Sequence, residues 1–182
     1  VQEALDKMTA LADLPLQWHL IGPLQSNKTQ QVAAHFDWVH SVDRLKIAER
    51  LSAQRPQGLP ALNICLQVNV SGEASKSGCS PEELPELARA VSQLAHLRLR
   101  GLMAIPQPTN DTAEQHATFA RLRTLSSSLG LPLDTLSMGM SDDLEAAIAE
   151  GANWVRIGSS IFGARPSANT QNPVPPLQGI PL

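Results

Sequence analysis

Two segments of the chain put glycine and serine where a β-type run ends, and each has the makings of an anion site. In Thr135-Leu136-Ser137-Met138-Gly139-Met140-Ser141-Asp142-Asp143-Leu144-Glu145 an apolar run stops at Gly139, and Ser141 stands where it caps the helix that follows. A helix start carries free backbone N–H groups and the positive end of the helix dipole, which together suit a phosphate. The same Ser-x-x-acid spacing equally serves a plain helix cap. In Trp154-Val155-Arg156-Ile157-Gly158-Ser159-Ser160-Ile161-Phe162-Gly163 the arrangement recurs: a β run, then Gly158, then two serines opening a short turn. Such nests at the ends of adjacent parallel strands form a common phosphate grip.

Three further groups have chemical potential. Arg156 sits on an otherwise apolar run, where an unpaired charge is costly, so it needs either a ligand or a structural carboxylate partner. His19, in Gln17-Trp18-His19-Leu20-Ile21-Gly22-Pro23-Leu24-Gln25-Ser26-Asn27-Lys28, takes the opposite strand face from Trp18 and Leu20, as a functional or a satisfied core residue. Paired with His40 it makes a weak metal motif that lacks further ligands at recognisable spacing. Lys76 lies in a Gly/Ser-rich loop and reads as solvated or as an anion contact, the other lysines being Lys7, Lys28 and Lys46. P-loop, dinucleotide, nucleophile-elbow and paired-cysteine motifs are absent from the sequence.

The elements that must position these groups follow from periodicity. Short β-branched or apolar runs predict strands over Gln17–Gly22, Trp38–Asp43, Leu62–Val70, Leu97–Ile105, Thr135–Gly139 and Trp154–Gly158. Helical spacing between them predicts helices over Asp43–Gln54, Pro81–Ala95, Asp111–Leu129 and Ser141–Glu150, and Val1–Met8 reads as mid-helix. Alternating βα units mean an open doubly wound sheet or a (β/α)8 barrel, for which six strands fall two short. The chain has 182 residues, formal charge -3 and 42% hydrophobic content, which suits one compact domain and gives a phosphate backbone no basic footing. No apolar run approaches the ~18–20 residues that span a bilayer. Two cysteines, Cys65 and Cys79, make no disulfide framework and favour a reduced, cytoplasmic setting. Residues 1–165 read as one unit, and 166–182 as a proline-rich, disordered tail.

Three strings carry a family resemblance: Trp18-His19-x-Ile21-Gly22-Pro23-Leu24-Gln25-Ser26-Asn27-Lys28, Ser137-Met138-Gly139-Met140-Ser141-Asp142-Asp143, and Val155-Arg156-Ile157-Gly158-Ser159-Ser160-Ile161-Phe162-Gly163-Ala164-Arg165. By these the chain resembles the pyridoxal-phosphate homeostasis proteins, the YggS/PROSC-like single-domain barrels related to the N-terminal domain of alanine racemase. The resemblance implies a (β/α)8 TIM-barrel fold, here with about six of eight βα units, and pyridoxal 5'-phosphate at the C-terminal mouth. It implies a cofactor site of Ser137, Ser141, Gly158 and Ser159 around the phosphate, with Met138 and His19 alongside and Arg156 facing the pyridine nitrogen. An arginine there disfavours protonating that nitrogen and makes the ring a poorer electron sink.

In the family the Schiff-base lysine lies on the first barrel strand, and nothing in this chain occupies its motif; Lys28 and Lys76 do not match it. The resemblance therefore implies an N-terminally truncated member. The function it implies is non-catalytic binding of a B6 vitamer for homeostasis, with apo-enzymes that require the cofactor as possible recipients. The alternative is a racemase- or decarboxylase-like enzyme, against which stands the absence of any tyrosine to act as second base. A third class, a sugar-phosphate enzyme, would share only the phosphate nests.

Overall fold

A computed structural model of the protein describes residues 1–72 and 77–163, apart from the Ser159 side chain. Lys76, Ala164, Arg165 and the proline-rich tail lie outside the described residues. Five parallel strands form one sheet in the order β1-β2-β3-β4-β5: His19–Leu20, Trp38–Val42, Leu62–Gln67, Leu97–Met103 and Thr135–Ser137. Spatial order that follows chain order is decisive, because a doubly wound sheet reverses direction at a switch point and this one never does. Right-handed crossovers then put every connecting helix on one face. The result is an α/β parallel half barrel of the (β/α)8 TIM-barrel kind. The sixth expected strand, Trp154–Gly158, follows β5 with a single bridge at Ser137↔Trp154. Its backbone still tracks β5, with Met138 N–H donating to Trp154 O at 3.1 Å and Arg156 N–H to Gly139 O at 3.0 Å.

The helices are α1 (Gln2–Ala10), α2 (Thr29–His35), α3 (Leu45–Gln54), α4 (Leu84–Ser92), α5 (Thr112–Ser128), α6 (Leu144–Ala149) and α7 (Ser159–Phe162), with a 3₁₀ turn at Ser26–Lys28. The caps explain the boundaries. Asp111 accepts from Ala113 N–H at 2.9 Å and Glu114 N–H at 3.3 Å, starting α5 where its sequence predicts. Ser80 and Glu83 bond each other's backbone N–H reciprocally, so residues 81–83 form a turn and α4 begins only at Leu84. Helix α2 was not legible in the sequence, because its last carbonyls are capped from a distance. Buried Arg55 donates to Ala33 O at 2.7 Å and Phe36 O at 2.9 Å.

Strand alternation divides the interior into two layers. Val39, Ile64, Leu66, Leu102 and Met138 face the helices and join Ile47, Leu51, Leu84, Phe119 and Leu122 in the main core. Each such fully buried large side chain contributes about 2 kcal/mol from burial. Trp38, Cys65 and Met103 take the other face, packed with Ile21 and Trp154 in the barrel interior. Strands β4 and β5 approach so closely that a Cβ on Gly101 would land on the Thr135 carbonyl, with its carbon 2.6 Å away.

Candidate functional site

The inward face becomes polar toward the C-terminal ends of the strands, where barrel sites are built. A cleft of about 760 Å³ opens there, lined by His19, His40, Gln67, Ser137, Arg156 and Gly158 among others. A second cleft of about 750 Å³ adjoins it, with Ser141, Asp142, Asp143 and the Pro106–Asn110 loop on its walls. Ile105, Met140, Arg156 and Gly158 line both, so Arg156 and Gly158 stand where the two meet.

Arg156 is fixed by two donated bonds, Nη1 to Ser137 Oγ at 2.9 Å and Nη2 to Ala104 O at 2.9 Å. No carboxylate bonds it, so the structural ion pair weighed from sequence is not formed among the described residues. Its buried Nε has no hydrogen-bond partner there. Burial lowers its pKa, with the Asp143 carboxylate opposing. Ser137 is fully buried and also lies 2.8 Å from His40 Nδ1, while His40 Nε2 lies 2.9 Å from His19 Nδ1. Four side chains from β1, β2, β5 and the segment beyond it thus form one hydrogen-bonded line through the barrel interior. Desolvation, with the neighbouring His19 and Arg156 charges, pushes His40 down to about 4, and desolvation also lowers His19 against the pull of Asp37. Both imidazoles are therefore neutral near pH 7.

Beneath this line the rings pack together. His19 stacks on Trp38 at 5.4 Å between centroids and 9°, and meets Trp154 at 4.7 Å. Arg100 lies 4.8 Å over Trp38 while gripping Asp134 with Nε and Nη2 at 2.8 and 2.7 Å. That arginine and its carboxylate close the floor of the interior.

The expected site residues divide in their placement. His19, Ser137, Arg156 and Gly158 come together on the first cleft, and Ser141 lies on the second, across the shared Arg156 and Gly158. Ser159 opens α7 directly after Gly158, whose carbonyl accepts from Phe162 N–H at 2.8 Å. The Met138 side chain lines neither cleft: period two turns it away from Ser137 into the main core, fully buried, and its N–H is taken by Trp154. Ser141 is likewise not the cap of the following helix, because residues 141–143 form a turn and α6 starts at Leu144. Asp143 Oδ1 instead accepts from Met140 N–H at 2.6 Å. Gly139 makes that turn possible, with φ +94 and a would-be Cβ 2.6 Å from the Ala147 methyl.

The His19 and His40 nitrogens face each other, and no group of three or more His, Cys, Asp or Glu able to hold a metal gathers among the described residues. Lys28 sits in the 3₁₀ turn and lines neither cleft. Sequence reasoning missed the bond between His40 and Ser137, although the alternation Trp38-Val39-His40 does put His40 on the inward face. It also missed the Pro106–Asn110 wall, whose signal was a proline-rich loop directly after a strand. Cys65 and Cys79 are both buried and unpaired by disulfide, as small hydrophobes are. No helix among the described residues is long and apolar enough to cross a membrane.

A parallel half barrel with a polar site at its C-terminal mouth defines a class, and the family comparison agrees: residues 1–166 match the alanine racemase N-terminal domain model, and the chain belongs to that family. Solved structures show the same fold at low identity, including alanine racemase from Clostridium difficile at 14% identity and TM-score 0.68, covering 92% of this chain and 45% of that one.

Within the family the chain stands with the pyridoxal phosphate homeostasis proteins. It is 74% identical over 165 residues to the one of Pseudomonas aeruginosa, covering 91% of this chain and 72% of that protein. It is 53% identical over 171 residues to that of Escherichia coli, covering 91% and 73%. PipY of Synechococcus elongatus, solved with pyridoxal phosphate bound, matches at 42% identity and TM-score 0.80 over 89% of this chain and 78% of PipY.

Proposed function

We propose that this chain binds pyridoxal 5'-phosphate at the paired clefts and serves intracellular vitamin B6 homeostasis without turning over a substrate. The observation that carries the reading is Arg156: a half-buried guanidinium at the junction of both clefts, tethered to a hydroxyl and a carbonyl, with a buried Nε that has no partner among the described residues. An orphaned buried donor suits an acceptor on a flat ring. The residues fit the rest of the cofactor as well. An added Cβ at Gly158 would meet nothing within 4 Å, so that backbone lies open to a close-approaching group. Ser141 and the Gly158–Ser159 segment would hold the phosphate, with His19 and Ser137 in the wall. The bound vitamer supplies a reactive aldehyde, and the protein's part is to bind it, orient it and keep its ring nitrogen unprotonated.

Support for the non-catalytic role comes from the homeostasis names of the relatives and from the absence of tyrosine in the sequence. Apo-enzymes that require the cofactor are the proposed recipients, and the cytoplasm the proposed compartment. Residues 1–165 are proposed as one binding unit.

Equilibrium dialysis with pyridoxal 5'-phosphate tests this. We expect saturable binding that falls at least ~10-fold in Arg156→Ala, the loss expected for a charged hydrogen bond. Reduction with borohydride and peptide mapping shows whether any lysine is labelled. No binding by the chain, or equal binding by Arg156→Ala, refutes the site, and measurable alanine racemisation refutes the non-catalytic role.

A further inference from the structure

We propose that Ser137 and His40 are positioning residues that lock the Arg156 guanidinium in place, so that Ser137 serves the arginine and not the phosphate. The inference rests on the reading of the cleft as a vitamer site, and it reassigns one residue within it.

The direction of every bond in the line follows from donor and acceptor inventory. Arginine has donors only, so Ser137 Oγ accepts from Arg156 Nη1 at 2.9 Å. The Ser137 hydroxyl is fully buried, and its own proton needs an acceptor; His40 Nδ1 lies 2.8 Å away. A neutral imidazole that accepts at Nδ1 carries its proton on Nε2. His40 Nε2 therefore donates to His19 Nδ1 at 2.9 Å. The line runs one way, from Arg156 through Ser137 and His40 to His19, and each member satisfies the next.

Two consequences follow. The Ser137 proton is committed to His40, so this hydroxyl has none to give a phosphate, and phosphate binding falls to Ser141 and the Gly158–Ser159 segment on the other side of Arg156. The guanidinium plane is also held at two points, Ser137 Oγ and Ala104 O, which leaves Nε, unpartnered among the described residues, as the donor for a ligand. His40 itself touches no ligand group in this reading. Groups facing it are His19 from β1 and Arg156 from the segment after β5, and both favour its neutral form. A protonated His40 would donate at Nδ1 and turn the Ser137 proton away, breaking the line at its middle.

The test compares two ligands on the full chain: pyridoxal 5'-phosphate and its analogue with carbon in place of the ring nitrogen. Wild type is expected to prefer the pyridine at least ~10-fold, the value of a charge-assisted hydrogen bond. In Ser137→Ala and His40→Leu that preference should shrink to within ~3-fold, with the loss falling on the pyridine compound. A merely structural role would weaken both ligands alike and leave the ratio unchanged, which overturns the proposal. A ligand-free measurement stands beside it: ¹⁵N spectra of wild-type His40 should show Nε2 protonated and Nδ1 bare. The opposite tautomer overturns the proposal whether or not the variants fold. If wild type binds neither compound, the vitamer reading fails, and the tautomer still decides the line of bonds.

Discussion

Acidification should unfold this protein earlier than its carboxylates alone would allow, because His40 is buried uncharged. Its ordinary value of 6.5 is pushed to about 4 by desolvation, with the charges of His19 and Arg156 acting in the same direction. In the unfolded chain the imidazole takes a proton near 6.5, whereas in the folded one it resists until about 4. The unfolded state thus binds more protons across that window, and folded stability is full above it and falls with pH through it. At ~1.4 kcal/mol per pH unit the gap gives about 3 kcal/mol lost by pH 4. Only 2% of His40 is exposed, so solvent screening does little to discount this figure. His19 is shifted the same way and adds to the loss. Glu83, Asp134 and Glu150, held below their ordinary values of 4.5, 3.8 and 4.5 by their hydrogen-bond partners, lose their contributions only at lower pH. The upper part of the window therefore belongs to the histidines. Thermal unfolding followed by tryptophan fluorescence at several pH values, on wild type and His40→Gln, measures the effect. Wild type should lose about 6–12 °C of melting temperature between the ends of the window from this group, at ~2–4 °C per kcal/mol. His40→Gln should show a correspondingly shallower slope. An identical slope in the variant, or an NMR titration of His40 near its ordinary value, would refute the reasoning.

Two other outcomes follow from packing. Gly101→Ala should cost about 3 kcal/mol or more in urea unfolding, because the new methyl meets the Thr135 backbone, which cannot give way as a side chain would; a variant as stable as wild type would show that β4 and β5 separate freely. Cys65 and Cys79, buried and pushed up to about 12, should resist a thiol reagent in neutral native buffer and react promptly in denaturant, and fast native labelling of either would contradict that burial.

Much of the frame was legible because it depends on short-range pattern. The runs at Trp38–Val42, Leu62–Gln67 and Leu97–Met103 alternate or stay apolar over strand length, and Asp111 announces α5 as a side-chain cap does. Legibility failed where the deciding partner was distant. Helix α2 is seven residues long, and the distant Arg55 bonds its Ala33 carbonyl, so its local signals are few. Ser141 had the spacing of a cap, yet α6 starts only at Leu144 with Asp143 in the cap position, and Asp143 Oδ1 accepts from Met140 N–H. Met138 was drawn into the site by its motif, and the strand's period of two sent it to the core.

The same contrast holds for the site. By themselves the residues determined that a strand would end at Gly139, that Arg156 could not stand unpartnered in an apolar run, and that the chain belongs among parallel βα folds. These are local constraints on backbone freedom, burial and charge. Tertiary structure alone decided the line of bonds behind Arg156: the guanidinium reaches Ala104 O across 52 residues, and Ser137 and His40, 97 residues apart, meet only when β2 and β5 curve around one interior. Hydrogen-bond partners across a curved sheet depend on closure and register, which no window of sequence encodes.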